Sequence, residues 1–347
     1  MRGLRVSELE PAHEADFIEG VDAPELSQNL IGHQETFDLL VQQLAQGRLP
    51  GGILLHGPKG IGKATFAFAL ARKILLETGD ETSERINDQI CSGSHPNLYI
   101  LRRVPRERGV GFYNDIRVDE VRTILRKLHQ TRGKSGNRIL IVDSVDECNA
   151  NAANALLKTL EEPPADTQII LVSHRPLRLL PTIRSRCQAH ALRTLSDDQV
   201  RDVLKDKAAT EDALNSALVF AKGRPRRGFE ALGINSGGIL GDLTNWLKGP
   251  AQGDIGQMLG IAEALANKKN SMEAAFAREI ILDWIAGEAR GLALQHGQNS
   301  SFPGAKDAHQ RLASANQLWE RRTLCLSKQI VIIWIPNMHL LLYSTRS

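Results

Sequence analysis

Between about residues 50 and 190, short unbroken apolar runs alternate with stretches in which apolar residues recur every three or four positions. Ile53-Leu54-Leu55 leads into a Gly-rich turn and then a segment rich in Ala and Leu, which reads as strand, turn and helix. Leu98–Leu101, Arg138-Ile-Leu-Ile-Val-Asp143 and Gln168–Ser173 are further strand candidates. Their runs are continuous and not alternating, as expected of strands covered on both faces. Val118, Val121, Ile124, Leu125 and Leu128 share one helical face, with Arg and Lys opposite. Asn149–Glu162 predicts a helix, stopped by Pro163-Pro164 because proline clashes with the preceding turn. Strands interleaved with helices predict an α/β fold with a mostly parallel, doubly wound sheet.

After residue 192 the strand signal disappears. Ser196-Asp-Asp-Gln199 has the spacing of a capping box, where serine and glutamine satisfy backbone groups at a helix start. A second helix is expected to end at Gly223 and a third to follow Pro225. The stretch 233–253 holds six glycines and reads as a linker, and residues 254–330 show helical periods throughout. The expected order is a flexible acidic arm over 1–28, an α/β core over 29–192, a small helical lid over 193–232, the linker, and an all-α C-terminal domain over 254–347.

A chain of 347 residues needs more than one domain. Net charge is +3, so no molecule-wide field demands a nucleic-acid partner. Charge is concentrated locally, with eleven Lys/Arg against four Asp/Glu over 99–138. Cys91, Cys148, Cys187 and Cys325 are dispersed without a CxxC, which suits a reducing, cytoplasmic setting and offers no zinc spacing. The N-terminus is polar and acidic, so no secretory signal is expected. The apolar run 330–343 is broken by Pro336 and Asn337 and is too short to span a bilayer, so no membrane is expected.

Gly57-Pro-Lys-Gly-Ile-Gly62-Lys63 lies between a strand and a helix, the context of a Walker A phosphate loop. Gly57, Gly60 and Gly62 would let backbone N–H groups form a concave nest for phosphate oxygens. The helix N-terminus adds partial positive charge, and Lys63 would reach the β and γ phosphates. The motif requires Ser or Thr after the lysine as a Mg²⁺ ligand, and Ala64 stands there. Thr65 is one residue late, turned about 100° around the helix. Asp143 closes its strand as a Walker B aspartate would, and Ser144 follows where a base would be needed. Asp146 and Glu147 fall on a different part of the turn. Weak or absent hydrolysis is expected, with ATP or ADP binding still open.

Asn154-Ala-Leu-Leu-Lys158-Thr-Leu-Glu-Glu-Pro-Pro164 and Pro181-Thr-Ile-Arg-Ser185-Arg186-Cys187 resemble stretches of bacterial DNA polymerase III clamp-loader subunits, of the AAA+ class. Leu49–Pro58 and Ser94-His-Pro-Asn97 fit the same family, and the resemblance covers about residues 28–228. It implies a P-loop AAA+ core, a small helical lid and an all-α collar for oligomerisation. It implies τ/γ and δ subunits as partners, with the sliding clamp and primer-template DNA reached through the complex. Membership of a DNA-directed DNA polymerase, a nucleotidyltransferase, follows from it. Ala64 and Ser144 favour the δ′ branch over the hydrolysing τ/γ branch, and a τ subunit would also run well past the collar. A γ-like active ATPase is the alternative. A DNA-binding module on an AAA+ fold is a third reading, disfavoured by the modest charge. Family members commonly carry a four-cysteine zinc module, but the stretch 79–95 holds Cys91 alone and is expected to be a metal-free loop. The tail after Trp319 does not resemble the usual family end; a divergent helix and a frameshifted terminus both fit.

In this family the arginine matching Arg186 points at ATP on the next subunit as an arginine finger, where a planar guanidinium suits charge on a γ-phosphate. Ser173 matches a sensor 1 position, or is a strand-end hydroxyl. Arg226, beside Arg224 and Arg227, matches the sensor 2 arginine, or begins a basic helix. His33 sits where the family closes over adenine, or is a solvated loop residue. Arg117, Arg122, Arg126 and Lys127 form a basic helix face that either meets DNA phosphates or is solvated. Cys148 and Cys187 read as packed side chains rather than nucleophiles.

Overall fold

The computed structural model describes residues 17–18, 20–106, 111–129, 135–233, 238–248, 255–265, 273–274, 276–281 and 283–284. Five parallel strands form one sheet: β1 (Gly52–His56), β2 (Leu98–Leu101), β3 (Arg138–Asp143), β4 (Thr167–Ser173) and β5 (Gln188–Ala191). Their order is β2-β3-β4-β1-β5, so β4 lies between the phosphate-loop strand and the strand ending in Asp143. The helices of the core are α1 (Gln34–Ala45), α2 (Lys63–Thr78), α3 (Ser83–Cys91), α4 (Val118–Leu128), α5 (Ala150–Glu161) and α6 (Pro181–Arg184).

Side chains alternate across a strand, so each strand feeds two cores. Ile53, Leu55, Ile139, Ile141, Ile170 and Val172 pack with Phe66, Phe68, Leu70 and Ile74 of α2 on one face. Leu54, Leu140, Val142, Ile169 and Leu171 pack with Val121, Leu128, Leu156 and Ile183 on the other. This double coverage explains why the strands read as continuous apolar runs. It also fixes strand register, because a one-residue slip would exchange the two cores.

The lid follows as α7 (Asp197–Leu204), α8 (Glu211–Ala221) and α9 (Pro225–Gly233). The capping box is formed: the Ser196 hydroxyl accepts from the Gln199 amide, and the Gln199 side chain accepts from the Ser196 amide. The chain divides into two compact units, 1–229 and 230–347, so the core and most of the lid form one unit.

The structure departs from expectation at three places. The stretch 79–95 is not a loop but contains α3, whose N-cap Thr82 accepts from the Arg85 amide and whose Ile86 and Ile90 are buried. Part of the expected arm is packed: the Glu25 carbonyl accepts from Arg72 and Cys91, and its carboxylate pairs with Arg102 at 3.2 Å. Short composition windows gave no sign of these long-range partners. The expected linker carries α10 (Ile239–Lys248), with Leu240 and Leu243 buried and Gly241 inside the helix. Beyond it, α11 spans Ile255–Leu265. Residues 1–16, Cys325 and the tail after Trp319 lie outside the described residues. No helix among the described residues is long and apolar enough to cross a membrane.

Loss of a capping hydroxyl costs a helix about 1 kcal/mol. Ser196→Ala is therefore expected to destabilise the first unit by about 1 kcal/mol, without changing the slope of a urea unfolding curve. Equilibrium unfolding of the two proteins side by side checks this.

Candidate functional site

The end of β1 turns sharply because Gly57 has no Cβ. A Cβ there would stand 2.2 Å from the carbonyl oxygen of Leu192, just after β5. The Gly57 amide donates to the Ser173 carbonyl at 3.3 Å, and the Leu192 amide donates to the His56 carbonyl at 2.7 Å. The ends of β4, β1 and β5 are thereby laced together beneath the loop. Gly60 (φ +85°) is pressed against the lid: its Cβ would lie 2.7 Å from that of Arg226, whose amide donates to the Gly60 carbonyl at 3.2 Å. Gly62 (φ +92°) is the N-cap of α2, and a Cβ there would meet open space.

A cavity of about 570 Å³ opens over this loop. Gly60, Gly62, Lys63, Ala64, Asp143 and Arg226 line it, so six of the residues singled out in the sequence converge. Thr65 also reaches the wall. The apolar side is built by Phe17, Ile18, Val21, Leu30, Leu195 and Phe229. Sequence reasoning missed this wall, because its parts come from the N-terminal segment and the lid. Its lining, which joins apolar side chains to glycine amides and a lysine, suits a nucleotide.

Lys63 is 3% exposed, and its Nζ donates to the carbonyls of Gly57 at 2.8 Å and Pro58 at 2.5 Å. Burial brings its pKa down to about 7, against the pull of the Asp143 and Asp146 carboxylates. His33 is not in the cavity wall, although its neighbours Asn29–Ile31 are. Its Nε2 lies 2.9 Å from the Ile61 carbonyl and its ring stands edge-on to Phe66, so it props the phosphate loop from behind. Burial lowers its pKa, the Ile61 bond opposes this, and Lys63 adds to it.

Ser173 is fully buried, and its hydroxyl donates to Asp146 at 2.8 Å. The same carboxylate accepts from the Ser144 hydroxyl at 3.1 Å, the Arg175 amide at 3.3 Å and the His174 amide. Asp146, set aside in the sequence, is thus the centre of the turn. The available signal was two small hydroxyl residues, Ser144 and Ser173, at strand ends that β-sheet order makes neighbours.

Arg186 is not in the cavity. It precedes β5, and its carbonyl oxygen is 3.0 Å from where a Gly52 Cβ would stand, at the opposite end of β1 from the phosphate loop. Its Nη1 donates to the Thr182 carbonyl at 2.9 Å, and it pairs with Glu161 at the end of α5. On α4 the basic face is partly occupied. Arg117 pairs with Glu120 at 3.1 Å and lies 4.0 Å over the Tyr113 ring, while Arg126 bonds the Arg122 carbonyl and Thr123. Cys91 donates to the Glu25 carbonyl. Burial pushes the Cys148 thiol up to about 12 and Cys187 to about 11, which keeps both protonated and unreactive.

A parallel sheet in this order, a P-loop beside a helical lid and an acid at the end of β3 define an AAA+ P-loop core, with Ala64 after the loop lysine and Ser144 after that acid. Sequence comparison narrows the class. The model of the family described as DNA polymerase III, delta subunit, matches residues 32–196. DNA polymerase III subunit delta′ of Pseudomonas aeruginosa is 31% identical over 245 residues, covering 68% of this chain and 71% of the relative. The Escherichia coli delta′ subunit is 33% identical over 194 residues, covering 54% and 56%. The chain belongs to the DNA polymerase III delta′ family of clamp-loader subunits. A gamma subunit of Buchnera aphidicola is 29% identical over 182 residues. A solved gamma-subunit-related protein of Thermotoga maritima aligns over 87% of this chain at 17% identity, with a TM-score of 0.44.

The folded pKa of Lys63, about 7, lies below its ordinary value of 10.5. Between these values the unfolded chain holds a proton that the folded chain has lost, so stability should climb with pH across that window. Below the folded pKa the buried charge carries its full cost. Lys63→Met should flatten this rise, measured as urea midpoints of the two proteins from pH 6 to 10. An unchanged pH profile would rule out a depressed lysine.

Proposed function

We propose that this chain is a non-hydrolysing member of the clamp-loader ring that supplies Arg186 in trans to ATP bound on a neighbouring τ/γ subunit. The δ subunit is the other expected partner in the complex, and the expected setting is the cytoplasm. The sliding clamp and primer-template DNA are reached through the complex. The observation that carries the reading is the separation of Arg186 from the chain's own phosphate loop. β1 has five residues, about 3.3 Å each, so the arginine backbone and the P-loop are about 16 Å apart along the strand. An arginine so placed serves a neighbour's site better than its own.

The chain's own site supports binding without turnover. Ala64 offers no oxygen for Mg²⁺, and Ser144 is committed to Asp146. The cavity nonetheless keeps the amide nest, Lys63 and an apolar wall, which suit ATP or ADP held through phosphates and base. Lys63 would exchange its bonds to the Gly57 and Pro58 carbonyls for phosphate oxygens. Bound phosphate would favour its charged form, so nucleotide should bind more weakly as pH rises through about 7. The γ-like reading requires the hydroxyl and the base that are missing.

The isolated chain should turn over ATP at background rate, and Mg²⁺-dependent turnover by the purified protein would overturn this part. For Arg186, the test is a reconstituted complex. A finger is worth about 10³–10⁵ in rate at its own site, and one site among several faces this subunit, so whole-complex turnover falls by less. Arg186→Ala should leave assembly intact while lowering DNA-dependent ATPase and clamp loading. Arg186→Lys should rescue poorly, because an ammonium lacks the planar fork. Normal rates in a normally assembled Arg186→Ala complex would remove the finger from the mechanism.

A further inference from the structure

We infer that Asp146 is a positioning residue for Arg186, fixing the segment from Ser173 to Arg186 at its origin. This rests on the reading of Arg186 as a finger acting in trans.

Two oxygens of Asp146 take four donors. Oδ1 accepts from the Ser173 hydroxyl at 2.8 Å and the Arg175 amide at 3.3 Å. Oδ2 accepts from the Ser144 hydroxyl at 3.1 Å and from the His174 amide. A carboxylate has about four lone-pair positions, so its capacity is filled. The amides of His174 and Arg175 lie just past the end of β4, where the strand ladder no longer supplies acceptors. Asp146 supplies them from the turn after β3, sharing the Arg175 amide with the Ser173 hydroxyl, which accepts it at 3.2 Å. The exit of β4 is therefore tied to the neighbouring strand through charge-assisted bonds, stronger than neutral ones.

The chain beyond this point runs through two short helical turns, Pro176–Arg178 and α6, and then pairs with β1 as β5. Arg175, Leu177, Arg178, Leu180 and Arg184 are exposed, with Leu177 at 85%. Leu179 and Ile183 enter the core, at 7% and 1% exposure, and hold the middle. At the far end the Arg186 amide donates to the Ile183 carbonyl at 3.2 Å, and the guanidinium reaches the Thr182 carbonyl and Glu161. Only twelve residues separate Ser173 from Arg186 in the sequence. The Asp146 bonds set the direction in which this segment leaves β4, and they act with the Leu179 and Ile183 anchors and the β5 pairing to present the guanidinium. Catalytic geometry is unforgiving: a displacement of about 1 Å can cost about a hundredfold in rate. Ser144 gains a meaning here as well, since the position that lacks a base provides one of the four donors.

The test is a double-mutant cycle in the reconstituted complex, with Asp146→Ala, Arg186→Ala and both. DNA-stimulated ATPase is read as kcat and KM, and melting temperature and assembly are read in parallel. Asp146→Ala should lower kcat by about threefold to tenfold, the size of coupling within one network, with KM for ATP unchanged because the neighbour's pocket is intact. The double variant should match Arg186→Ala alone. If Arg186→Ala lowers kcat but Asp146→Ala is neutral, or the two effects multiply, the inference fails while the finger stands. If Arg186→Ala itself has no effect, the reading beneath it has failed. Should Asp146→Ala not assemble, Ser173→Ala and Asp146→Asn remove one and two of the bonds, and the same non-additivity with Arg186→Ala decides.

Discussion

The site depends on how little space is left where β1 ends. Gly57 passes against the Leu192 carbonyl, a distance of 2.2 Å from an imagined Cβ, and only a glycine fits. Because the backbone can pass there, its amide meets the Ser173 carbonyl, and the chain swings up into the loop that carries Lys63. The same closeness brings the start of the lid within reach, so that Gly60 lies against Arg226. Loop, sheet and lid are one packed unit as a result. The cavity is what remains between them and the N-terminal segment.

Much of this was readable in the sequence. Double-sided burial writes itself as unbroken apolar runs, so β1 to β4 were found nearly to the residue. The P-loop announces itself through glycine spacing, and Ala64 and Ser144 are deficits visible by inspection. β5 was not visible, because Gln188–Ala191 at the sheet edge has a largely exposed face and no apolar run. α3 was hidden for a related reason: two buried isoleucines in nine residues are a thin stripe. The role of Asp146 depends on strand order. Nothing local shows that a turn after residue 143 lies beside residues 173–175, and β4 had to be placed next to β3 first.

Lys63 illustrates how a motif residue can be in place and yet engaged elsewhere. Its ammonium is buried against two loop carbonyls, with Asp143 and Asp146 near enough to oppose the effect of burial. Desolvation is the larger effect, and a buried amine near neutrality is its result. Charge on this lysine is therefore conditional on what occupies the cavity. The surrounding carboxylates do not supply what an incoming phosphate would.

The distance between Arg186 and the phosphate loop carries a lesson about decay. On the proposed reading the chain holds half of two different sites, a cradle at one end of β1 and a donor at the other. A full strand of core separates them, and Asp146 is the one link proposed between them. Alanine at 64 leaves the contacts of Arg186 with Glu161 and Thr182 in place. Selection can therefore abandon one half while still inspecting the other. A ring built of such subunits is free to contain a member that has retired from burning fuel and still disciplines the neighbour that burns it.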